Sequence, residues 1–276
     1  MSALRQTLTI EAGRSERHYW ADLWRYRELF LLLTWRDILV RYKQTAMGIG
    51  WALIRPLLAI VVFTVVFGKL AKLPSDGVPY PLLVAVAMLP WQFFAGGLNE
   101  ASNSLINNVS LISKVYFPRI IVPASAVIVS LVDLLISSVI VIGLLAWYGV
   151  MPGARILTLP LFVLLGFGAA IGSGLWFAAL NVKYRDFRYI VPFVLQLGLY
   201  VSPVGFSSGI VPERLRLVYS LNPMVGVIDG VRWSLLGDST PMYWPGLALA
   251  VALTAALLAA GIWFFRRTEK SFADVI

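Results

Sequence analysis

One carboxylate, Asp133, sits midway along a long apolar run, and Asp229 and Arg232 stand three residues apart in a stretch broken by Gly and Pro. Ionisable groups inside a membrane cost about 2.5–3.5 kcal/mol each on insertion scales, and so mark proton paths, substrate sites or paired structural contacts. A proton relay needs a chain of such groups. Asp133 is the one carboxylate well inside a predicted span, with Glu100 near a span end, so a structural hydrogen bond to another helix or subunit fits it better than a relay. On a helix, Asp229 and Arg232 could face each other and pair. The chain has no cysteine and a single histidine, His18, in a polar N-terminal stretch. Disulfides, thiolate catalysis and cysteine-ligated metals are therefore excluded, and His18 reads as a solvated surface group. No GxxxxGK[ST] loop is present, and Gly48-Ile49-Gly50 runs into Trp51-Ala52-Leu53 without a lysine to reach a phosphate. No catalytic, cofactor or metal residue emerges. An ATP-driven transporter built on this chain would need its ATPase on another polypeptide.

Rings and loops offer binding rather than catalysis. Trp91, Phe93 and Phe94 follow Pro90 inside one apolar run, and Tyr200 and Phe206 lie near the outer end of another. Aromatic faces in a pore suit sugars, whose C–H faces are apolar; for any single ring, core packing or lipid contact is the better account. The loop Asn107 to Arg119 mixes polar residues with Leu111, Ile112, Tyr116 and Phe117. A loop that exposes such side chains to water calls for a partner, unless they dip into the headgroups. A second loop, Asn181 to Tyr189, is short, basic and aromatic, and could equally be a lipid anchor.

The elements that hold these residues are membrane helices. Of 276 residues, 59% are hydrophobic and 13% charged, with a mean hydropathy of +0.80, against roughly 25% charged residues in a soluble domain. A spanning helix needs about 20 apolar residues, and six stretches qualify: 52–69, 82–103, 120–147, 156–180, 189–206 and 243–265. The expected fold is an all-α integral membrane protein of six transmembrane helices. With a cytoplasmic N-terminus, 17 of the 23 Lys and Arg fall on inside segments, as the positive-inside rule demands. Both termini are then cytoplasmic, and the net charge of +9 serves loops and anionic headgroups rather than nucleic acid. The first 18 residues have no apolar core of a cleavable signal, so the first span would insert the chain itself.

Within residues 207–242, Val218 to Leu236 is apolar but contains Asn222, Pro223, Asp229 and Arg232, and Gly or Pro recurs throughout. A seventh span would reverse the basic tail and weaken the charge asymmetry, so a re-entrant helix pair is expected there. From Tyr19 to Tyr42, Trp20, Leu23, Trp24, Leu31, Trp35, Ile38 and Leu39 recur near helical spacing among charged residues. That pattern predicts an amphipathic helix in the headgroup plane, or a soluble helix packed on a partner. The chain divides into 1–51, a cytoplasmic N-terminus with the interfacial helix; 52–265, the transmembrane domain; and 266–276, a cytoplasmic tail.

Several segments in register carry a resemblance. Trp35-Arg36-Asp37-Ile38-Leu39-Val40-Arg41-Tyr42-Lys43-Gln44-Thr45 leads through Gly48 and Trp51 to Arg55-Pro56-Leu57. Leu89-Pro90-Trp91-Gln92-Phe93-Phe94, Lys114-Val115-Tyr116-Phe117-Pro118-Arg119, Asn181 to Phe187 and Asn222-Pro223-Met224 follow. Over roughly residues 30 to 265 the chain resembles the permease subunits of ABC-2 type polysaccharide and polyol-phosphate exporters, of the O-antigen, capsule and teichoic-acid type. The resemblance implies a homodimer in the bacterial inner membrane with two cytoplasmic ATPase subunits, which hold the ATP and Mg. A lipid-linked polysaccharide would cross at the dimer interface. Leu111, Ile112, Lys114, Tyr116, Phe117, Pro118 and Arg119 would form the ATPase-coupling segment, and 207–236 an outward gate. Trp91, Phe93, Phe94, Tyr200 and Phe206 become candidate channel-lining rings. A permease for a lipid, peptide or drug, and a proton-coupled carrier through Asp133, are the competing readings.

Overall fold

The computed structural model describes residues 19–43, 48–270 and Phe272. His18 and the polar stretch before Tyr19 lie outside the described residues, as do Gln44 and Thr45. The described residues are helical and contain no strand.

An arm of two helices comes first, α1 (Tyr19–Arg25) and α2 (Arg27–Lys43). Five long helices follow: α3 (Gly50–Phe63), prolonged by a π-helical stretch Thr64–Leu70; α4 (Tyr80–Asn107); α6 (Ile121–Tyr148); α7 (Leu159–Lys183), entered through a 3-10 turn Ala154–Thr158; and α11 (Trp244–Glu269). Each is long and apolar enough to cross a membrane, and the chain is a multi-pass membrane protein. Their ends fall within a few residues of the predicted stretches. A four-residue helix, α5 (Val109–Ile112), joins α4 to the turn leading into α6.

The predicted span 189–206 takes a different form. Its helix, α8 (Phe187–Val201), has 15 residues, about 22 Å of rise against a hydrocarbon core of about 30 Å. Ser202 is extended, at φ −79° and ψ 153°, because the residue before a proline, here Pro203, is driven out of the helical region. Residues 207–242 form short helices rather than one long one: α9 (Glu213–Tyr219) and α10 (Pro223–Leu236), with 3-10 turns at either side. Asn222 caps α10, its side-chain oxygen accepting from the Met224 N–H at 3.0 Å.

α4 is the buried axis, with Leu82 to Met88 essentially inaccessible; α3, α6, α7, α8 and α10 pack around it. α7 and α11 meet at Gly172 and Gly261, where a Cβ on Gly261 would lie 2.2 Å from the Gly172 carbonyl oxygen. Lipid supplies no hydrophobic drive between helices, so such backbone-to-backbone approach is how they adhere. The arm turns Leu29, Phe30 and Leu33 onto the bundle and leaves Trp20, Trp24, Leu31, Leu32 and Trp35 exposed.

Candidate functional site

At the end of the bundle that carries the arm, α5 follows Asn108, whose side-chain oxygen accepts from Arg36 of α2 at 2.9 Å. Lys114, Val115 and Tyr116 project outward, Tyr116 with 52% of its surface exposed. Leu111 is half-buried. Contrary to the sequence expectation of one exposed apolar loop, Ile112, Phe117 and Pro118 face inward. Phe117, 4% exposed, packs with Ile112, Leu33, Leu105, Phe265 and Phe272. Apolar cover from the arm and from the distant C-terminus makes burial the lower-energy choice.

Arg119 closes this segment against the end of α11. Its backbone N–H donates to Glu269 Oε1 at 2.9 Å, and its guanidinium donates to the Glu269 carbonyl. The Tyr19 hydroxyl donates to Glu269 Oε2 at 3.1 Å. Burial, reinforced by the Glu269 carboxylate, raises the Tyr19 hydroxyl above the usual tyrosine range. The Arg266 guanidinium lies over the Tyr19 ring at 4.6 Å, and Arg119 over Phe272 at 5.9 Å. One glutamate thus joins the first helix, the α5–α6 turn and the last span.

A second cluster fastens the other end of the arm. Arg41 reaches two carboxylates on two helices, Asp133 on α6 at 2.9 Å and Glu100 on α4 at 3.6 Å. The Tyr42 hydroxyl also donates to Asp133, and burial together with that carboxylate raises the Tyr42 hydroxyl. The next turn of α6 adds a bond to α3, the Ser137 hydroxyl donating to the Ala52 carbonyl at 3.0 Å. Beside this cluster is a cavity of about 600 Å³ bordered by Arg41, Arg55, Trp91, Gln92 and Asp133.

The ring candidates occupy dissimilar places. Trp91 and Phe93 are buried, Trp91 against Gly198 and Phe93 stacked on Phe167 at 6.5 Å, with both bordering the 600 Å³ cavity. Phe94 is half-buried beside Trp91. Tyr200 is 55% exposed and stacks on Phe63 at 6.2 Å. Phe206 is half-buried in the turn after α8. Tyr200 is the one of the five with most of its surface open; α7 and α8 cover Trp91 and Phe93.

At the opposite end, Arg232 is 2% exposed and holds the α8–α9 turn to α4. Its guanidinium donates to the carbonyls of Phe206 at 3.0 Å, Val204 at 3.3 Å and Leu83 at 3.3 Å, and lies 4.0 Å from Asp229. The Tyr80 hydroxyl donates to the Gly205 carbonyl, and Tyr219 donates to the Val201 carbonyl at 2.8 Å. A buried arginine that caps orphaned carbonyls is how a broken backbone is tolerated away from water.

Sequence reasoning singles out Asp133, Asp229 and Arg232 and pairs the last two, but it does not find the partners of Asp133 or the carbonyls that hold Arg232. Tyr80 and Glu269 are not singled out at all, and Tyr19, Arg41 and Tyr42 enter only as part of the amphipathic stretch and its motif run. The one signal for Tyr80 and Glu269 is a donor and an acid within a few residues of a predicted span end.

Among the described residues no group of three or more His, Cys, Asp or Glu is placed to hold a metal. The arrangement contains latches, cavities and an exposed turn.

Residues 28–236 match the family model of the ABC-2 type transporter. The chain is 28% identical over 258 residues to the O-antigen export system permease protein RfbA of Myxococcus xanthus, covering 92% of this chain and 98% of that one. It is 25% identical over 250 residues to the protein of the same name from Klebsiella pneumoniae, covering 90% and 95%. With a match across most of its length, on an all-helical framework of membrane-length helices, the chain belongs to the ABC-2 type transporter family.

Proposed function

We infer that this chain is the permease subunit of an ATP-driven exporter that moves a polysaccharide, carried on a lipid, across the bacterial inner membrane. The observation that carries the reading is the end-to-end similarity to O-antigen export permeases. Two copies form the channel, and two ATPase subunits, holding ATP and Mg, dock on the cytoplasmic face. Both termini face the cytoplasm. Residues 1–51 carry the interfacial arm, 52–265 six membrane crossings with α8 as a short fifth, and 266–276 the tail; 207–242 re-enters from outside as a gate.

The docking element in this reading is the turn that exposes Lys114, Val115 and Tyr116, with Leu111 and Arg119 at its margins; Ile112, Phe117 and Pro118 support it from beneath. A nucleotide shifts a two-state transporter only through contacts that differ between the states. ATPase closure would act on this turn, and Glu269 and Arg119 would pass the displacement to α11 and the arm. The Arg41–Asp133 pair supports a structural role for Asp133 over proton carriage. The test is export in a strain lacking the gene: surface polysaccharide should vanish and return with the wild-type chain. Unchanged surface glycan in the deletion strain would turn the cargo assignment toward a lipid, peptide or drug.

A further inference from the structure

A cavity of about 890 Å³ opens beside the last two turns of α11. Its apolar lining is Ala259, Ile262 and Trp263, of which Trp263 is 61% exposed, and its basic lining is Arg119, Arg266 and Arg267. From Ala259 to Arg266 the helix rises about 10 Å, so the apolar wall lies on the hydrocarbon side of the basic rim. Two carboxylates face the cavity, Asp22 and Glu269, and Glu269 is taken up by the Arg119 N–H and the Tyr19 hydroxyl. With Lys270 also on the rim, four cations face two anions. Arg266 and Arg267 are set on aromatic faces, Tyr19 at 4.6 Å and Trp263 at 5.5 Å, which fixes their guanidinium groups in place.

A ligand that fits must be amphiphilic, with an anionic head at the level of the last turn and a hydrocarbon tail along Ile262 and Ala259. We propose that this cavity is a binding site for an anionic bilayer phospholipid, its phosphodiester held by Arg266 and Arg267. Guanidinium groups suit it because their fork geometry matches phosphate oxygens. A docked soluble protein could satisfy the basic rim but not the apolar wall below it. Tyr116 and Pro118 line the cavity beside Arg119, so the bound headgroup touches the α5–α6 turn. The inference needs the membrane location alone and stands whatever the cargo is.

The test is native mass spectrometry of the purified full chain in mild detergent, with phosphatidylglycerol, phosphatidylcholine of the same acyl chains, or a polyprenyl phosphate. Phosphatidylglycerol should be retained about tenfold or more over phosphatidylcholine. The double change Arg266→Gln with Arg267→Gln should abolish that preference, while lysine at both positions keeps it. Ala259→Trp, which fills the apolar wall at constant charge, should also displace the lipid; Arg214→Gln, on exposed α9, should not. Equal retention of the two phospholipids, unaltered binding by the glutamine and tryptophan variants, or preferential capture of the polyprenyl phosphate would overturn the assignment.

Discussion

The guanidinium of Arg41 lies 2.9 Å from the carboxylate of Asp133, joining the end of the arm to the middle of α6. Tyr42 donates to the same carboxylate and Glu100 lies 3.6 Å from Arg41, so two successive arm residues are fastened to two long helices.

The pair is about a third exposed on the arginine side, where such a contact contributes about 1 kcal/mol. Arg41→Ala should therefore leave insertion intact and speed amide exchange across 27–43 about fivefold. Asp133→Asn keeps an acceptor for Tyr42, and transport should stay within about threefold of wild type. Loss of transport in Asp133→Asn with an unaltered exchange pattern would restore proton carriage as a reading.

Arg232 poses a larger effect because nothing replaces it. Removing it takes the side-chain donor from the carbonyls of Phe206 and Val204, loosens their tie to Leu83 on α4, and deprives the buried Asp229 of its ion-pair partner. Arg232→Ala should cost about 3 kcal/mol and make the 202–212 turn sensitive to added protease. Lysine, a single point donor, cannot reach all three carbonyls and should recover less than half of the lost thermal stability.

Tyr116→Asp and Phe117→Asp separate docking from folding. Tyr116 is exposed, so its change should leave the folded chain intact and weaken co-purification with the ATPase about tenfold or more. Phe117 is in the core with Phe265 and Phe272, and a carboxylate there should cost about 3 kcal/mol or more. Thermal melting in detergent and pull-down, measured on both variants, check the contrast.

The Tyr19–Glu269 contact has a pH signature. The folded-state pKa of Tyr19 is raised by burial and by Glu269, whereas an unfolded tyrosine ionises near 10. The stability from that raised pKa is fully present below about pH 10 and declines as pH rises above it. Tyr19→Phe should melt lower than wild type at pH 8 and lose less between pH 9 and 11. Equal pH slopes in the two proteins would contradict the latch.

These contrasts mark what a linear reading reaches. Run length alone located α3, α4, α6, α7 and α11, because twenty apolar residues have few stable alternatives in lipid. The early end of α8 has a local signal in Ser202-Pro203 that run length passes over. Phe117 and Ile112 could not be placed from their own neighbourhood, since their cover comes from Leu33 and from Phe265 and Phe272 near the opposite terminus. Trp91 and Phe93 met the same limit: ring type and depth are visible in a sequence, but α7 and α8 decide whether a ring is covered. The Asp229–Arg232 spacing pointed to each other; the three carbonyls that hold Arg232 could come only from the packing.

The most direct measurement places the purified chain in liposomes with lipid-linked polysaccharide in the outer leaflet, and with or without its ATPase on that same outer side. Polymer should reach the far side only when ATPase, ATP and Mg are all present, and Tyr116→Asp should suppress it. Movement of polymer by the chain alone would contradict the central claim.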